Sequence, residues 1–568
     1  MIRCVAALVA LSLFIGCAAR RAEETEIPVP AAYPAGFYED CADLIAPLDH
    51  IKRQLERLPA VELTADLSHL SPGDRKALDL LVKASWCMDK AFMRQVYEWN
   101  YCIIGELSKS MDPGVSYYQN YFCLMYGPWD RLDDDRPFLN ADAKPPGANF
   151  YPMNMTREEF DAKAIEEMKS AFTMVRRVKG KLEAIPYSEY FEDELKPCAK
   201  LLKQAAKAAT TPSLARYLAS RAEALLCDDY LESDRAWMEL DGDIEAVLGP
   251  YEVYEDRLFG YKASFQSQVC IVDHEEARKL EAIGNTLGDL EARLPLPETY
   301  ERVDHAALSP IKVALQVYSG GDARAGIMTA AFNLPNDERV RREMGSKKVL
   351  LKNVMFAKFE SCSIPVAEAA LSDKDLKRVS FEAFFNHFLM HEISHGLGPG
   401  AISANGRDTT VNRELKDLYA FIEECKADAM ALYSAPYLVE KGVLPADLEE
   451  TLYATYLADI FRSLRFGIND AQGGSTAMQL NYLLERGAFA VDEAGLFFVN
   501  DDKIRPAVED LTRELLEIQA KGDYKAAQAF IARYRHLKPE AEVVLKKLDR
   551  MPVDIRPVYP IEKEVLQG

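Results

Sequence analysis

Two short motifs, HEISH at 391–395 and EECKAD at 423–428, constrain the fold of this chain more than any other feature. On a helix, residues four apart sit about 40° from one another around the axis, so His391 and His395 share a face. Two imidazoles there can reach one ion at roughly 2.0–2.1 Å each. Gly396, Gly398 and Pro399 stop that helix promptly. Glu392, one position along, can reach a water at such an ion without binding the ion itself. The pentapeptide alone also fits a partly buried helix whose histidines are satisfied by packing. His387 lies on the same face, but three helical histidines on one ion is unusual, so it is expected to pack or to support a ligand.

The run from Glu414 to Tyr433 reads as the next helix. It puts Leu415, Leu418, Ile422, Cys425 and Ala429 on one apolar stripe, with Asp417, Glu424 and Asp428 as an acidic line beside it. Ala420, Ala427 and Ala431 flank that line and allow another helix to approach closely. Carboxylates at the margin of an apolar stripe are costly to desolvate unless something cationic meets them. One Zn2+ held by the two histidines is such a partner. Glu424 is then expected as the third ligand. Asp428 is expected to accept a hydrogen bond from the far nitrogen of a ligating histidine, with Glu423 in the same supporting layer. A solvated helix face is the alternative for Glu423 and Glu424. On the zinc reading, two helices separate in sequence must lie side by side around one ion.

At 568 residues the chain exceeds what one core organises, so several structural units are expected. Its net charge of −22, spread along the chain, argues against nucleic acid as a partner. The start, MIRCVAALVALSLFIGC, has a basic residue at Arg3, an apolar stretch too short to span a membrane, and Gly16 before Cys17. It resembles a bacterial lipoprotein signal over residues 1–17, with Cys17 as the lipidated residue. Residues 18–36 read as a tether rich in charge, Pro and Ala. Of eleven cysteines, Cys4 and Cys17 fall in that leader, and the rest are scattered without the spacing of a disulfide framework.

From Phe37 to about Trp237 apolar residues recur at helical spacing. The middle changes character. EAVLGPYEVYED, KVALQVYSG, IMTAAFNLPN and KKVLLKNVMF are short β-prone runs between turn residues. Helices return from about Ala367 to Leu484 and continue to His536. The end, MPVDIRPVYPIEKEV, is extended and punctuated by proline. The expected class is α+β, predominantly helical: a small β-barrel or sheet in one lobe, a helical lobe carrying the zinc site, and a cleft between.

HEISHGLGPG and EECKADAMALY, together with YGPWDRLD, FYPMNM, GPYEVYEDRLFGYKASF, NLPN, RFGINDAQG and PVDIRP, resemble the dipeptidyl peptidase III family, in particular its bacterial and plant Nudix-fused relatives. Those relatives carry the five-residue HExxH form; the animal and yeast enzymes have a residue inserted in it. The motifs span nearly the whole chain after the leader. The resemblance implies a lobe built of 37–274 and 317–363 around a five-stranded barrel, a helical zinc lobe of 275–316 and 364–545, and a C-terminal segment, 546–568, returning to the first. It implies a zinc exopeptidase that releases N-terminal dipeptides from short peptides, which bind as an added strand.

Residue by residue, Tyr254 resembles the tyrosine that stabilises the oxyanion and Glu252 the carboxylate that receives the amine. Asn333 and Asn336 resemble the asparagines that hold substrate backbone and amine. A carboxylate and amide oxygens suit a cationic terminus, and a phenol suits a developing negative charge. Two positions depart from the family pattern. Gln472 stands where a histidine is usual, and it can donate a hydrogen bond but carry no charge. Gln266 stands where an acidic residue is common. The expected protein is a peptidase of the bacterial cell envelope, lipid-anchored at Cys17. Ala18 lacks the aspartate of inner-membrane retention, which favours the outer membrane facing the periplasm. Gln472 leaves open a peptide-binding lipoprotein with weak turnover, and hydrolysis of a non-peptide amide is a third alternative.

Overall fold

The computed structural model describes residues 44–297, 300, 310–404 and 406–567; the leader, Cys17 and the tether therefore lie outside the described residues. The chain forms two compact units. One takes in the residues up to Val272 with Ala314–Ser346 and Ile555–Gly568, the other Asp273–Val313 with Lys347–Asp554. Among the described residues no helix is long and apolar enough to cross a membrane.

The first unit opens with a long helix, α1 (Pro72–Val96), started by the Ser71 side chain, which accepts the Asp74 N–H at 3.0 Å, and by Pro72 in the first turn. Its apolar face, with Leu81, Met88 and Phe92 wholly buried, packs on α2 (Glu192–Ala208) through Leu195 and Leu202. Thr173–Val178 and Lys181–Pro186 form an antiparallel hairpin inside a stretch whose pattern reads as helical. Lys179 and Gly180, at φ of 50° and 81°, make the left-handed two-residue turn that joins twisted strands.

The core is a curled sheet of β1 (Ile244–Glu252), β2 (Ser264–Val272), β3 (Ile311–Gly321), β4 (Ala331–Leu334) and β5 (Lys347–Leu351), in the order β1-β2-β3-β5-β4. β2 is absent from the β-prone runs read in the sequence because SFQSQVCIV is half polar, yet every residue of it is buried. Buried polar groups must be bonded. Accordingly Gln316 Nε2 donates to Gln268 Oε1, and the Tyr559 hydroxyl donates to Gln316 Oε1 at 2.7 Å. Tyr559 arrives with the C-terminal segment, whose strand Arg556–Val558 runs parallel to Ala60–Glu62.

β1 and β2 pair antiparallel in register from Ile244↔Ile271 to Pro250↔Phe265, then shift, so that Glu252 faces Ser264. Proline has no N–H for the ladder, and the bulge that follows re-aims Glu252. KKVLLKNVMF is strand only to Leu351, and a helix runs from Lys352 to Lys358.

The second unit is helical around α4 (Tyr419–Glu440), which packs against α3 (Phe381–Ser394), α5 (Leu448–Leu464), α6 (Ala471–Glu485) and α7 (Asp501–Lys521). Helices contact α4 from all sides, and most of its residues from Ile422 to Leu438 are buried. The expected helix from Glu414 is shortened. Lys416 takes a left-handed φ of 53° after a separate turn, Val411–Leu415, capped by Thr410. Asp417 therefore leaves the acidic line and accepts from the Tyr524 hydroxyl at 3.1 Å, while Leu418 is half-buried rather than part of the stripe.

Candidate metal centre and substrate-binding residues

α3 and α4 bring His391, His395 and Glu424 together, with one donor atom of each within 4.8 Å of the others. The two Nε2 atoms are 3.2 Å apart, and the Glu424 oxygens lie 3.4 Å from His391 Nε2 and 4.0 Å from His395 Nε2. Ligands at roughly 2.0–2.1 Å from a tetrahedral zinc are about 3.3 Å from each other. The donor set therefore fits that ion.

The far side of each ring fixes the tautomer. His391 Nδ1 is 2.7 Å from Asp428 Oδ1, and His395 Nδ1 is 2.9 Å from Glu423 Oε1. With Nδ1–H donated to a carboxylate, each Nε2 presents a lone pair. Two lone pairs at such a separation repel unless a cation lies between them. Each supporting carboxylate is held in turn. Gln479 donates to Asp428 Oδ2 at 2.8 Å, and Gln519 donates to Glu423 Oε2 at 2.7 Å. Tyr456 donates to Gln479 Oε1. Lys426, almost fully buried, pairs with Glu423 at 2.8 Å and donates to the Ser394 and Leu397 carbonyls, tying the end of α3 to α4.

Charges around the site leave a place for a divalent cation. Four carboxylates, Glu392, Glu423, Glu424 and Asp428, face two ammonium groups, Lys348 and Lys426. Desolvation works against a charged His391, yet Asp428 and then Glu424 pull it up to about 10, so the field at this point favours positive charge. Burial works against the Glu423 carboxylate too, but Lys426 and His395 hold it down to about 2. His387 is buried against the Tyr456 ring, its Nε2 3.9 Å from Asp428 Oδ1, outside the three-donor group. Glu392 projects from α3 and accepts from the Lys348 ammonium.

Gln472 sits exposed in the first turn of α6, behind the Asp470 cap that accepts the Gly473 N–H at 2.9 Å. Gly473 is required there, since a Cβ would meet the Gly467 carbonyl oxygen at 2.0 Å. Gln472 lies two turns before Gln479, on nearly the same helix face.

In the first unit a cavity of about 470 Å³ is lined by Glu252, Tyr254, Asn333, Asn336, Gln266 and Asp322. The three residues expected to hold substrate, Glu252, Asn333 and Asn336, thus share one cavity with Tyr254, expected at the oxyanion, and with the departure at Gln266. Asn336 is anchored by donating to the Tyr251 carbonyl at 2.9 Å, while Asn333 points outward from β4. Burial raises the Glu252 carboxyl above its ordinary range, and among the described residues no side chain pairs with it. The Glu252 charge, then burial, pushes the Tyr254 phenol up. Tyr254 is nevertheless 76% exposed, unusual for a large ring that packing alone would place. Glu255, by contrast, is saturated by Arg131 at 2.7 Å and Lys144 at 2.8 Å.

Residue patterns gave no notice of Gln479, Gln519, Lys426 or Lys348. The available signal is a buried-looking apolar run interrupted by one long polar residue, as in TAMQLNYLL and LLEIQA.

Peptidase family M49 matches residues 161–418, a stretch that includes the HExxH helix and stops short of Glu424. The solved structure of DPP III from Caldithrix abyssi superposes with a TM-score of 0.86 at 47% identity, over 90% of this chain and 100% of that one. Dipeptidyl-peptidase III from Corallococcus sp. strain EGB gives 0.75 at 40% identity, over 92% and 99%. Nudix hydrolase 3 of Arabidopsis thaliana is 37% identical over 91% of this chain and 74% of its own length.

Proposed function

The chain belongs to peptidase family M49, the dipeptidyl peptidase III family of zinc-dependent metallopeptidases, and from that premise we propose that it removes N-terminal dipeptides from short peptides using one zinc ion held by His391, His395 and Glu424. The observation that carries this reading is the triangle of donor atoms 3.2–4.0 Å apart, each imidazole backed by its own carboxylate. When bound, zinc would supply a Lewis acid that lowers the pKa of a water and polarises the scissile carbonyl.

The chain's own residues divide the remaining work. Glu392 takes the proton of the attacking water and gives it to the leaving amine. Asp428 and Glu423 hold the two imidazoles in one tautomer, and Gln479 and Gln519 hold those carboxylates. The desolvated, unpaired Glu252 receives the peptide's ammonium, with Asn336 and Asn333 as amide partners that fix its position. Tyr254 donates to the oxygen on which negative charge develops, and Gln472 adds a neutral donor. Glu392→Ala should retain zinc by metal analysis and lose dipeptidyl-naphthylamide hydrolysis by on the order of 1,000-fold or more. Unchanged turnover in that protein removes the mechanism.

Gln472 favours a second reading, a peptide-binding protein with weak turnover, because an exposed amide replaces the family histidine. Peptide binding without chelator-sensitive product release would support it. We also propose that Cys17 carries a lipid anchor in a bacterial cell envelope, at the outer membrane facing the periplasm. The leader pattern from Arg3 to Cys17 supports this, and labelled palmitate incorporation that survives Cys17→Ser would overturn it.

A further inference from the structure

One charged group beside Glu392 has no part in the catalytic roles assigned so far. Lys348 is the second residue of β5, between a buried Lys347 and a run, Val349–Leu351, that is fully buried. Its backbone N–H is fixed by the Pro310 carbonyl at 2.8 Å, so the root of the side chain is held. The side chain is 22% exposed and its ammonium donates to Glu392 Oε2, on a carboxylate itself only 12% exposed. Three other lysines of this unit are committed elsewhere. Lys352 is taken by Glu276 at 2.6 Å, Lys279 by Glu276 at 2.9 Å, and Lys426 by Glu423 and two carbonyls. Among the described residues Lys348 is the cation that pairs with Glu392, and Glu392 is its side chain's partner.

A lysine is an odd choice if the position only needs a strand residue. Holding four carbons and an ammonium in one geometry costs rotamer freedom. A carboxylate that must act at one place gains from that cost. One oxygen of Glu392 is pinned by a charge-assisted bond, which leaves the other oxygen to meet the attacking water in a defined direction. The ammonium has three N–H groups and spends one on Glu392, so further donors and a positive charge remain on the Glu392 side of the centre. Gln472, being neutral, supplies no such charge.

We propose that Lys348 is a positioning residue for the peptidase reaction: it orients the Glu392 carboxylate and keeps a cation next to the reacting centre. This rests on the reading of Glu392 as the base. Lys348→Met should lower kcat by roughly 10- to 100-fold, with KM within about threefold, because the contact matters after substrate is bound. Lys348→Arg should recover much of that loss. Zinc retention against a competing chelator should be unchanged in both, since neither touches a ligand. In a Glu392→Gln background, Lys348→Met should cost little more, because the two act as one unit. A Lys348→Met protein with wild-type kcat, or a loss that is undiminished in the Glu392→Gln background, overturns the proposal. Full hydrolysis in Glu392→Ala would overturn the base assignment instead, and so distinguishes the two failures.

Discussion

The metal centre and the Glu252 cavity are both polar sites lined by carboxylates, yet they are finished in opposite ways. Around His391 and His395 the supporting groups are held in turn: imidazole to carboxylate, carboxylate to amide, ammonium to carbonyl. In the cavity Glu252 has no side-chain partner among the described residues, Asn333 faces outward and the Tyr254 ring is largely exposed. A resident ion needs donors that wait in one geometry, since reorganising them would lower its affinity. A ligand that comes and goes needs groups left unsatisfied, because a carboxylate already paired has little to offer an arriving ammonium. Glu255 makes the contrast within one cavity: saturated by Arg131 and Lys144, it is structural where Glu252 is available.

The largest expected effect is on the finished site. Glu424→Ala removes one of three donors and should lower zinc affinity and hydrolysis each by on the order of 1,000-fold or more, read by metal analysis after dialysis and by naphthylamide turnover. Calorimetric binding of a short peptide at the cavity should change by less than about threefold. If peptide binding disappears together with the metal, the two sites are not separable in the way their partners suggest.

A smaller loss is expected one layer out. Asp428→Asn keeps the shape and changes what faces His391 Nδ1, so the tautomer is no longer enforced. Zinc affinity should fall by up to about 100-fold, with Gln479→Leu following in the same direction and by less. Chelator competition measures both. Equal affinities across the series would mean that the supporting network is packing and nothing more.

These supporting residues also mark where the sequence stops being readable. HExxH followed by ExxxD is legible because helical spacing alone puts His391 with His395, and Glu424 with Asp428, one turn apart. Gln479, Gln519, Lys426 and Lys348 are not, because a polar residue pointing inward from a buried helix or strand has no period of its own; each has at least one partner dozens of residues away. The same cause hid β2, whose Gln266 and Gln268 look like a solvated segment until the sheet curls around them. The start of α4 departs from the expected helix for a local reason, the left-handed turn at Lys416, which nothing in ELKDLY announces. The cavity residues came only from resemblance to the family; composition and spacing alone would leave Glu252 as one acidic residue among many.

The mildest prediction concerns the unfinished site and has a pH signature. Burial raises the Glu252 carboxyl above its ordinary value near 4.5. The ionised form is the one that receives an ammonium, and a peptide amine near pKa 8 stays protonated throughout the acid range. As pH falls through the raised pKa, Glu252 takes up a proton and KM should climb, starting at higher pH than an ordinary carboxylate would give. Free-protein stability runs the other way. The native state binds the extra proton between the unfolded and folded pKa values, so this group's contribution is present at low pH and is lost as pH rises through the folded pKa. Glu252→Gln should raise KM by about 30-fold at neutral pH, flatten the acid limb of KM, and leave zinc content unchanged. An acid limb that persists in Glu252→Gln would move the recognition of the amine to another group in the cavity, with Asp322, itself raised to about 7 by burial and then by the Glu255 charge, the one to substitute next.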